Sequence, residues 1–162
     1  SPLKSAQVLP DKHIVKMPLE CCQMLSIIAS DKWGHNYGTL PKADGTPYQT
    51  DKGAFRHHPC TVWASETPAN SRWLIEHALA LCEEYTSRYG KVHSCLSAIL
   101  VASKIFPEAD SSEHTPFVRA MPVEFKLDTS IDTFDAYKMY VSSKPWVVDN
   151  YLRIPNRKPE WV

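Results

Sequence analysis

A glutamate lies close to two lysines and a histidine near the start of this chain. If the residues from Asp11 onward form a helix, Lys12, Lys16 and Glu20 lie on successive turns, with His13 beside them, because residues four apart share a helix face. A carboxylate held this way can move a proton or stabilise positive charge on a substrate, and neighbouring lysines can hold phosphate. Ordinary salt bridges on a surface helix give the same spacing, so both interpretations stay open.

The apolar residues of the same segment predict how this helix is held. A face for the core is formed by Val15, Leu19, Cys22, Leu25 and Ile28, with Ile14 and Met24 at its margins. We expect the helix to run from Asp11, as its cap after Pro10, to about Ser30. Pro18 lies inside it and should bend it, because proline cannot donate a hydrogen bond to the Ile14 carbonyl. The bend would aim Glu20.

The composition limits the class of protein. With 162 residues, of which 43% are hydrophobic, the chain is long enough for one globular domain spanning residues 1–162. Lysine plus arginine and aspartate plus glutamate both number 18, so there is no overall positive field to attract a polyanion. The charge balance therefore argues weakly against DNA binding. If DNA is the partner, the basic residues must be gathered on one side.

The cysteines and the missing motifs exclude several further classes. Five cysteines without regular spacing are unlike a secreted disulfide framework, so we expect a reducing, cytoplasmic setting. No paired CxxC elements occur, and we predict no metal site. The sequence has no Walker loop, dinucleotide-binding glycine motif, nucleophile elbow or zincin helix, and we predict no cofactor. No apolar stretch approaches the length of a membrane span.

The remaining elements predict an all-α domain of about three long helices, with short helices, long loops and an extended aromatic C-terminal tail. Helices are expected over residues 58–65, 70–89, 92–106 and 132–143, the second being the central core helix. Gly90 and Pro107 stand where the second and third of these should end. Residues 31–56 are rich in glycine and proline and predict a long loop, which either covers the substrate or is a plain surface excursion.

The end of the chain is expected to follow a different pattern. After Pro145 it should be mostly extended and anchored by Trp146, Tyr151 and Trp161. Residues 123–127 give the one hint of a strand, and the stretch before them, up to Pro122, is expected to be irregular.

The segment from Asp11 to Glu20 resembles the active-site helix of the phage pyrimidine-dimer DNA glycosylases of the endonuclease V type. In that family an Asp-x-His element precedes the catalytic glutamate by seven residues, which is the spacing of His13 and Glu20. The stretch from His58 to Trp63, with the long helix that follows, and the aromatic C-terminal end are also similar to the family. Its arginines, one residue before and three after the glutamate, are replaced here by Leu19 and Gln23.

The resemblance implies an all-helical DNA glycosylase and AP lyase. A main-chain α-amino group, here that of Ser1, would attack C1′ of a damaged nucleotide and form a Schiff base. An α-amino pKa near about 8 leaves a useful neutral fraction. Glu20 would handle protons and stabilise the cationic sugar, and His13 would orient or protonate nearby groups. DNA would be the partner, with Lys12 or Lys16 on its phosphates.

A wider binding surface is also predicted. Basic or aromatic residues available for phosphate contact or base stacking are Arg56, His57, His58, Arg72 and Trp146, and Gln23 lies one turn after Glu20. Two other functions stay open. The chain could act on modified nucleotides without binding duplex DNA, which its neutral charge favours, or it could be a non-catalytic helical binding module.

Overall fold

The computed structural model describes residues 1–121, 123–127 and 130–162, and within these ranges the secondary structure is helical. The α-helices are α1 (Pro2–Gln7), α2 (Asp11–Ala29), α3 (Pro59–Glu66), α4 (Pro68–Tyr89), α5 (Leu96–Ile105), α6 (Val123–Lys126) and α7 (Thr133–Ser142). The pairing of Pro41 with Pro47 is an isolated bridge. The predicted all-α fold is confirmed.

Helix α4 lies at the centre and contacts α1, α2, α3 and α5. The Asn70 backbone N–H donates to the Thr67 hydroxyl (3.1 Å), and Pro68 occupies the first turn, where no backbone donor is needed. Gly90 ends the helix with a φ of 69°, a left-handed conformation that favours glycine. Leu81 and its apolar neighbours are buried along the whole length of α4. The predicted central core helix is confirmed.

Helix α2 confirms the second half of the predicted core face and corrects the first half. Cys22, Leu25 and Ile28 are buried as predicted, and so are the marginal residues Ile14 and Met24. Val15 and Leu19 are instead 45% and 42% exposed. Ile14 and Pro18 take their places in the core, because neighbouring positions of a helix point about 100° apart. Leu19 therefore lines a cleft, and Pro18 is buried in the core although the helix continues through it.

Other boundaries also differ from the predictions. Helix α5 begins at Leu96 rather than Val92, because the Cys95 backbone N–H donates to Nδ1 of His93 (3.1 Å) and fixes a turn before the helix. The expected strand at 123–127 is wrong, since Val123–Lys126 is helical. Pro122, the predicted end of an irregular stretch, lies outside the described residues.

A buried network of charges joins the two ends of the chain to α4. The Arg88 side chain is 0% exposed and pairs with Asp11 (3.1 Å) and with Glu84 (2.9 Å). It also donates to the carbonyls of Leu9 (2.7 Å) and Gln7 (3.0 Å). The guanidinium thus satisfies two carboxylates and two backbone acceptors that the interior would otherwise leave unpaired.

The C-terminal tail completes the start of α2. The Asp11 backbone N–H donates to the Asn150 carbonyl (2.7 Å), and the Lys12 N–H donates to the Asn150 side chain (2.7 Å). The Asp11 carboxylate, predicted to cap the helix, instead accepts from the Leu152 N–H (2.9 Å) and from Arg88. Pro10 is the cap residue. A residue from the far end of the sequence therefore supplies the acceptors that α2 needs.

Turns dominate the path of this tail, with a short 3₁₀ helix at Pro155–Arg157. Its expected aromatic anchors are confirmed: Tyr151 is buried, and Trp146 and Trp161 pack against the cluster of Val141, Val147 and Tyr151. The Tyr151 hydroxyl donates to the Val8 carbonyl (2.6 Å).

Replacing Arg88 by glutamine should lower the free energy of unfolding by about 3–5 kcal/mol, because Asp11 stays buried without its cation. Urea denaturation measures this change. Lys91→Gln, at an exposed position nearby, should change the value by less than about 0.5 kcal/mol. A loss under about 1 kcal/mol for Arg88→Gln would show that the network is dispensable.

Candidate active site

Glu20 lies at the boundary between α2 and α3, and most of its side chain is covered. One carboxylate oxygen, Oε1, is 3.6 Å from the Lys16 Nζ, with side-chain exposures of 20% for Glu20 and 67% for Lys16. Burial raises the pKa of the Cys60 thiol in α3 to about 11, and the negative charge of Glu20 acts in the same direction. Glu20 therefore combines a charged partner in solvent with a sheltered position against α3.

His13, Lys12 and Trp146 form a second group, at the start of α2. The rings of His13 and Trp146 meet edge to face with 5.7 Å between their centroids, and the Lys12 Nζ lies 4.5 Å from the Trp146 ring centroid. Burial, and then the charges of Lys16 and Lys144, lower the pKa of His13. Since its ordinary value is 6.5, the His13 ring is neutral at pH 7.

An open cleft of about 960 Å³ lies on the side of α2 that carries Leu19 and Gln23, and Glu20 is not among the residues that line it. Its walls come from α2, from the loop between α2 and α3, and from the turn before α5. They are formed by Leu19, Gln23, Ile27, Lys42, Ala43, Asp44, Pro47, Tyr48, Gln49, Lys52, Gly53, Phe55, Ser94 and Cys95. The long loop predicted over residues 31–56 thus supplies much of a concave surface, which reaches α2 at Leu19, the residue before Glu20.

Several predicted binding residues have other partners. Arg72 is buried, and its guanidinium donates to the carbonyls of Phe106 (2.7 Å) and Pro107 (2.9 Å), which covers the end of α5. Arg56 donates to the Thr50 carbonyl (2.6 Å) and holds the loop. The Cys60 N–H donates to Nδ1 of His58 (3.1 Å), so this ring caps α3.

His57 and Ser1, two further predicted residues, lie at the end of the loop and at the start of α1. His57 is exposed at the end of the loop. The Ser1 hydroxyl accepts from the Lys4 N–H (3.3 Å), and the next carbonyl, of Pro2, lies 3.1 Å from Nδ1 of His77 in α4. The contacts of Ser1 and Pro2 thus run to α1 and α4. The structure groups Glu20 with Lys16, and His13 with Lys12 and Trp146, while the contacts of Arg72 lie elsewhere.

Sequence reasoning missed two features of this region. Tyr48 and Cys95 meet in the cleft, with the Tyr48 hydroxyl 3.8 Å from the Cys95 sulfur, although 47 residues separate them. The charge of Lys144, which follows the end of α7, lowers the pKa of His13. The sequence around these residues does not predict either interaction, because each one brings together segments that are far apart in the chain. The described residues hold no group of three His, Cys, Asp or Glu side chains arranged to bind a metal ion.

The family of this chain follows from a family model. A model described as pyrimidine dimer DNA glycosylase matches residues 1–97, which is more than half of the sequence, and the chain belongs to that family. The match includes Glu20, the cleft loop and α4. Membership indicates a DNA repair glycosylase with damaged DNA as its substrate. No curated protein and no solved structure matches the chain. Along the described residues, no helix is both long and apolar enough to cross a bilayer.

Replacing Glu20 by glutamine should change the free energy of unfolding by less than about 1 kcal/mol, because its ion-pair partner Lys16 is largely in solvent and glutamine keeps the shape of the side chain. Glu84→Gln is the matched control. Glu84 is buried and pairs with both Arg88 and Arg157, so this change should cost about 3–5 kcal/mol. Urea denaturation of both variants measures the two changes in the free energy of unfolding. Equal losses would assign Glu20 a structural role.

Proposed function

We propose that this protein cleaves the N-glycosidic bond of damaged or modified pyrimidines in DNA, with Glu20 as the carboxylate that acts at the sugar. One observation carries the proposal: within the residues that the family model matches, Glu20 is a mostly covered carboxylate with a solvent-exposed cation 3.6 Å away, and the preceding residue, Leu19, lines a cleft of about 960 Å³. Such a position leaves the carboxylate accessible to a nucleotide while its surroundings strengthen its charge interactions.

The chemistry requires a negative charge close to C1′. As the bond from the base to the sugar breaks, positive charge develops on the sugar ring, and a fixed carboxylate stabilises it more than it stabilises the substrate. The Glu20 carboxylate supplies this charge and can accept a proton from the attacking group. Lys16 pairs with the carboxylate at 3.6 Å and, being largely in solvent, can turn towards a phosphate.

His13 has a positioning role in this scheme. Seven residues, or about 10 Å along a helix, separate it from Glu20, so the two side chains serve different parts of the substrate. A neutral ring packed on Trp146 fixes the orientation of that indole. The Trp146 ring, with Lys12 against it, provides an aromatic surface and a cation for one nucleotide next to the lesion.

Two attacking groups fit the proposal. In the lyase route a main-chain α-amino group attacks C1′ and forms a Schiff base. In the hydrolytic route a water activated by Glu20 attacks the same carbon. Only the first route leaves a covalent intermediate that borohydride can reduce, so the products distinguish the two routes.

Incubation with UV-irradiated duplex DNA should release the damaged base, and Glu20→Gln should lower the rate by about 100-fold or more, because the sugar cation loses its counter-charge. Product analysis on denaturing gels, with and without borohydride, measures this and traps any Schiff base. Glu83→Gln, an exposed carboxylate on α4, is the matched control and should keep the wild-type rate.

The outcomes of this experiment separate the alternatives. A trapped adduct supports the lyase route, and base release without an adduct supports hydrolysis. A wild-type rate in Glu20→Gln would contradict the role of Glu20. Binding of DNA by the wild-type protein without base release, and unchanged in Glu20→Gln, would favour a non-catalytic binding module. Cleavage of free modified nucleosides, with no activity on duplex DNA, would instead favour the nucleotide enzyme. That second candidate is supported by the formal net charge of zero and by cleft walls that carry Gln23, Lys42 and Lys52.

DNA binding should weaken as salt is added, because each lysine on a phosphate releases a counterion. Lys12→Gln and Lys16→Gln should each reduce the slope of log affinity against log salt by about 1. Fluorescence anisotropy with a labelled duplex at several salt concentrations measures the slope. Lys104→Gln, an exposed position on α5, should leave it unchanged. A wild-type affinity that does not depend on salt would remove duplex DNA as the partner.

A further inference from the structure

Two cysteines from distant parts of the chain meet at the wall of the cleft. Cys95, 6% exposed, is the cap residue at the start of α5 and lines the cleft, and Cys22 is fully buried on α2. The Cys22 thiol donates to the carbonyl oxygen of Cys95 (3.6 Å), so the two residues are in contact. The Tyr48 hydroxyl contacts the Cys95 sulfur at 3.8 Å from the loop side.

The neighbouring histidine fixes the position of Cys95. Nδ1 of His93 accepts from the Cys95 N–H (3.1 Å), so the ring proton is on Nε2, which donates to the Val15 carbonyl (2.9 Å). The His93 ring therefore hydrogen-bonds Cys95 in the turn before α5 and Val15 in α2, and it links the two segments. Cys22 and Cys95 are kept side by side by this connection.

We propose that Cys95 is a peroxide-reactive thiol and that Cys22 is its resolving partner, so that oxidation joins α2 to the start of α5 by a disulfide at the wall of the cleft. Hydrogen peroxide, a small neutral oxidant, is the reactant that this site would take. The proposal concerns thiol chemistry and does not depend on the proposed glycosylase activity.

Cys95 differs from the other cysteines in its surroundings. The hydrogen bond from the Cys22 thiol, followed by contacts with His93 and Tyr48, lowers the pKa of Cys95 against the opposing effect of burial. A position at the N-terminus of the ten-residue helix α5 acts in the same direction. Burial instead raises the pKa of Cys60 to about 11 and that of Cys82 to about 12. The thiolate, which is the reactive form, is thus concentrated at Cys95.

The reaction proceeds in two balanced steps. The Cys95 thiolate attacks one peroxide oxygen, the O–O bond breaks, and hydroxide leaves, so that sulfur is oxidised to a sulfenic acid and the peroxide is reduced. The Cys22 sulfur then attacks the Cys95 sulfur, the S–O bond breaks, and the departing hydroxide takes the Cys22 proton as water. In sum, two thiols and one peroxide give one disulfide and two waters.

The contact between the two residues favours this bond. A disulfide requires sulfurs about 2.05 Å apart. The Cys22 sulfur already lies 3.6 Å from the backbone carbonyl of Cys95, so rotation of the Cys95 side chain towards α2 would bring the two sulfurs together. The Cys95 sulfur would then turn towards α2 and away from Tyr48. Because Tyr48 also lines the cleft, oxidation would alter the wall of the cleft as well as the link between the helices.

Peroxide treatment of the intact wild-type protein, followed by proteolysis and mass spectrometry, tests the proposal. We expect a cross-linked pair of peptides containing Cys22 and Cys95, lighter by two hydrogen atoms and restored by a thiol reductant. Before oxidation, Cys95 should react with iodoacetamide at least about tenfold faster than Cys60 or Cys82, since those two thiols are protonated at neutral pH.

A variant separates the roles of the two cysteines. In Cys22→Ala, peroxide should leave a sulfenic acid on Cys95 that dimedone labels, because the resolving thiol is gone. Cys82→Ala, which removes another buried cysteine, should still form the wild-type cross-link and serves as the control. Alkylation of Cys95 no faster than that of Cys60, or a stable sulfenic acid on wild-type Cys95 without the cross-link, would overturn the proposal. The wild-type measurements hold even if a variant fails to fold.

Discussion

The buried guanidinium of Arg88 is the interaction on which the arrangement of this protein depends. It pairs with Asp11 at the first turn of α2 and with Glu84 on α4, and Glu84 also accepts from Arg157 in the tail. A buried cation is tolerated only when its partners satisfy it, so these segments must come together. The network sets the start of α2, and α2 in turn carries His13, Lys16 and Glu20 into place.

The cleft is a consequence of the same arrangement. With Ile14 and Pro18 turned into the core, the exposed side of α2 presents Leu19 and Gln23 to the long loop. These are the two positions at which the endonuclease V type carries arginines. In this chain they line a concave surface, so the cations that support the proposed DNA contact come from Lys12 and Lys16 instead. An overall neutral charge is compatible with such a local arrangement.

Histidine and cysteine chemistry in this protein depends on its surroundings more than on the residue types. His13 is kept neutral by burial and by the charges of Lys16 and Lys144, whereas His58 and His93 accept backbone N–H groups. Among the cysteines, Cys95 has its pKa lowered, while burial raises that of Cys60. The same side chains therefore serve packing in one place and form a candidate reactive group in another.

The sequence by itself determined the helical class, the central helix with its Gly90 end, the irregular loop, and the segment in which Glu20 and Lys16 pair. These features depend on local propensities and on i,i+4 spacing, which a single segment contains. The tertiary structure alone decided which face of α2 is buried, that Asn150 caps this helix, that Arg72 is a structural residue, and that Cys22, Tyr48 and Cys95 meet. Those outcomes depend on contacts between residues far apart in the chain, because packing and the pairing of buried polar groups select among faces and partners that local sequence leaves equivalent.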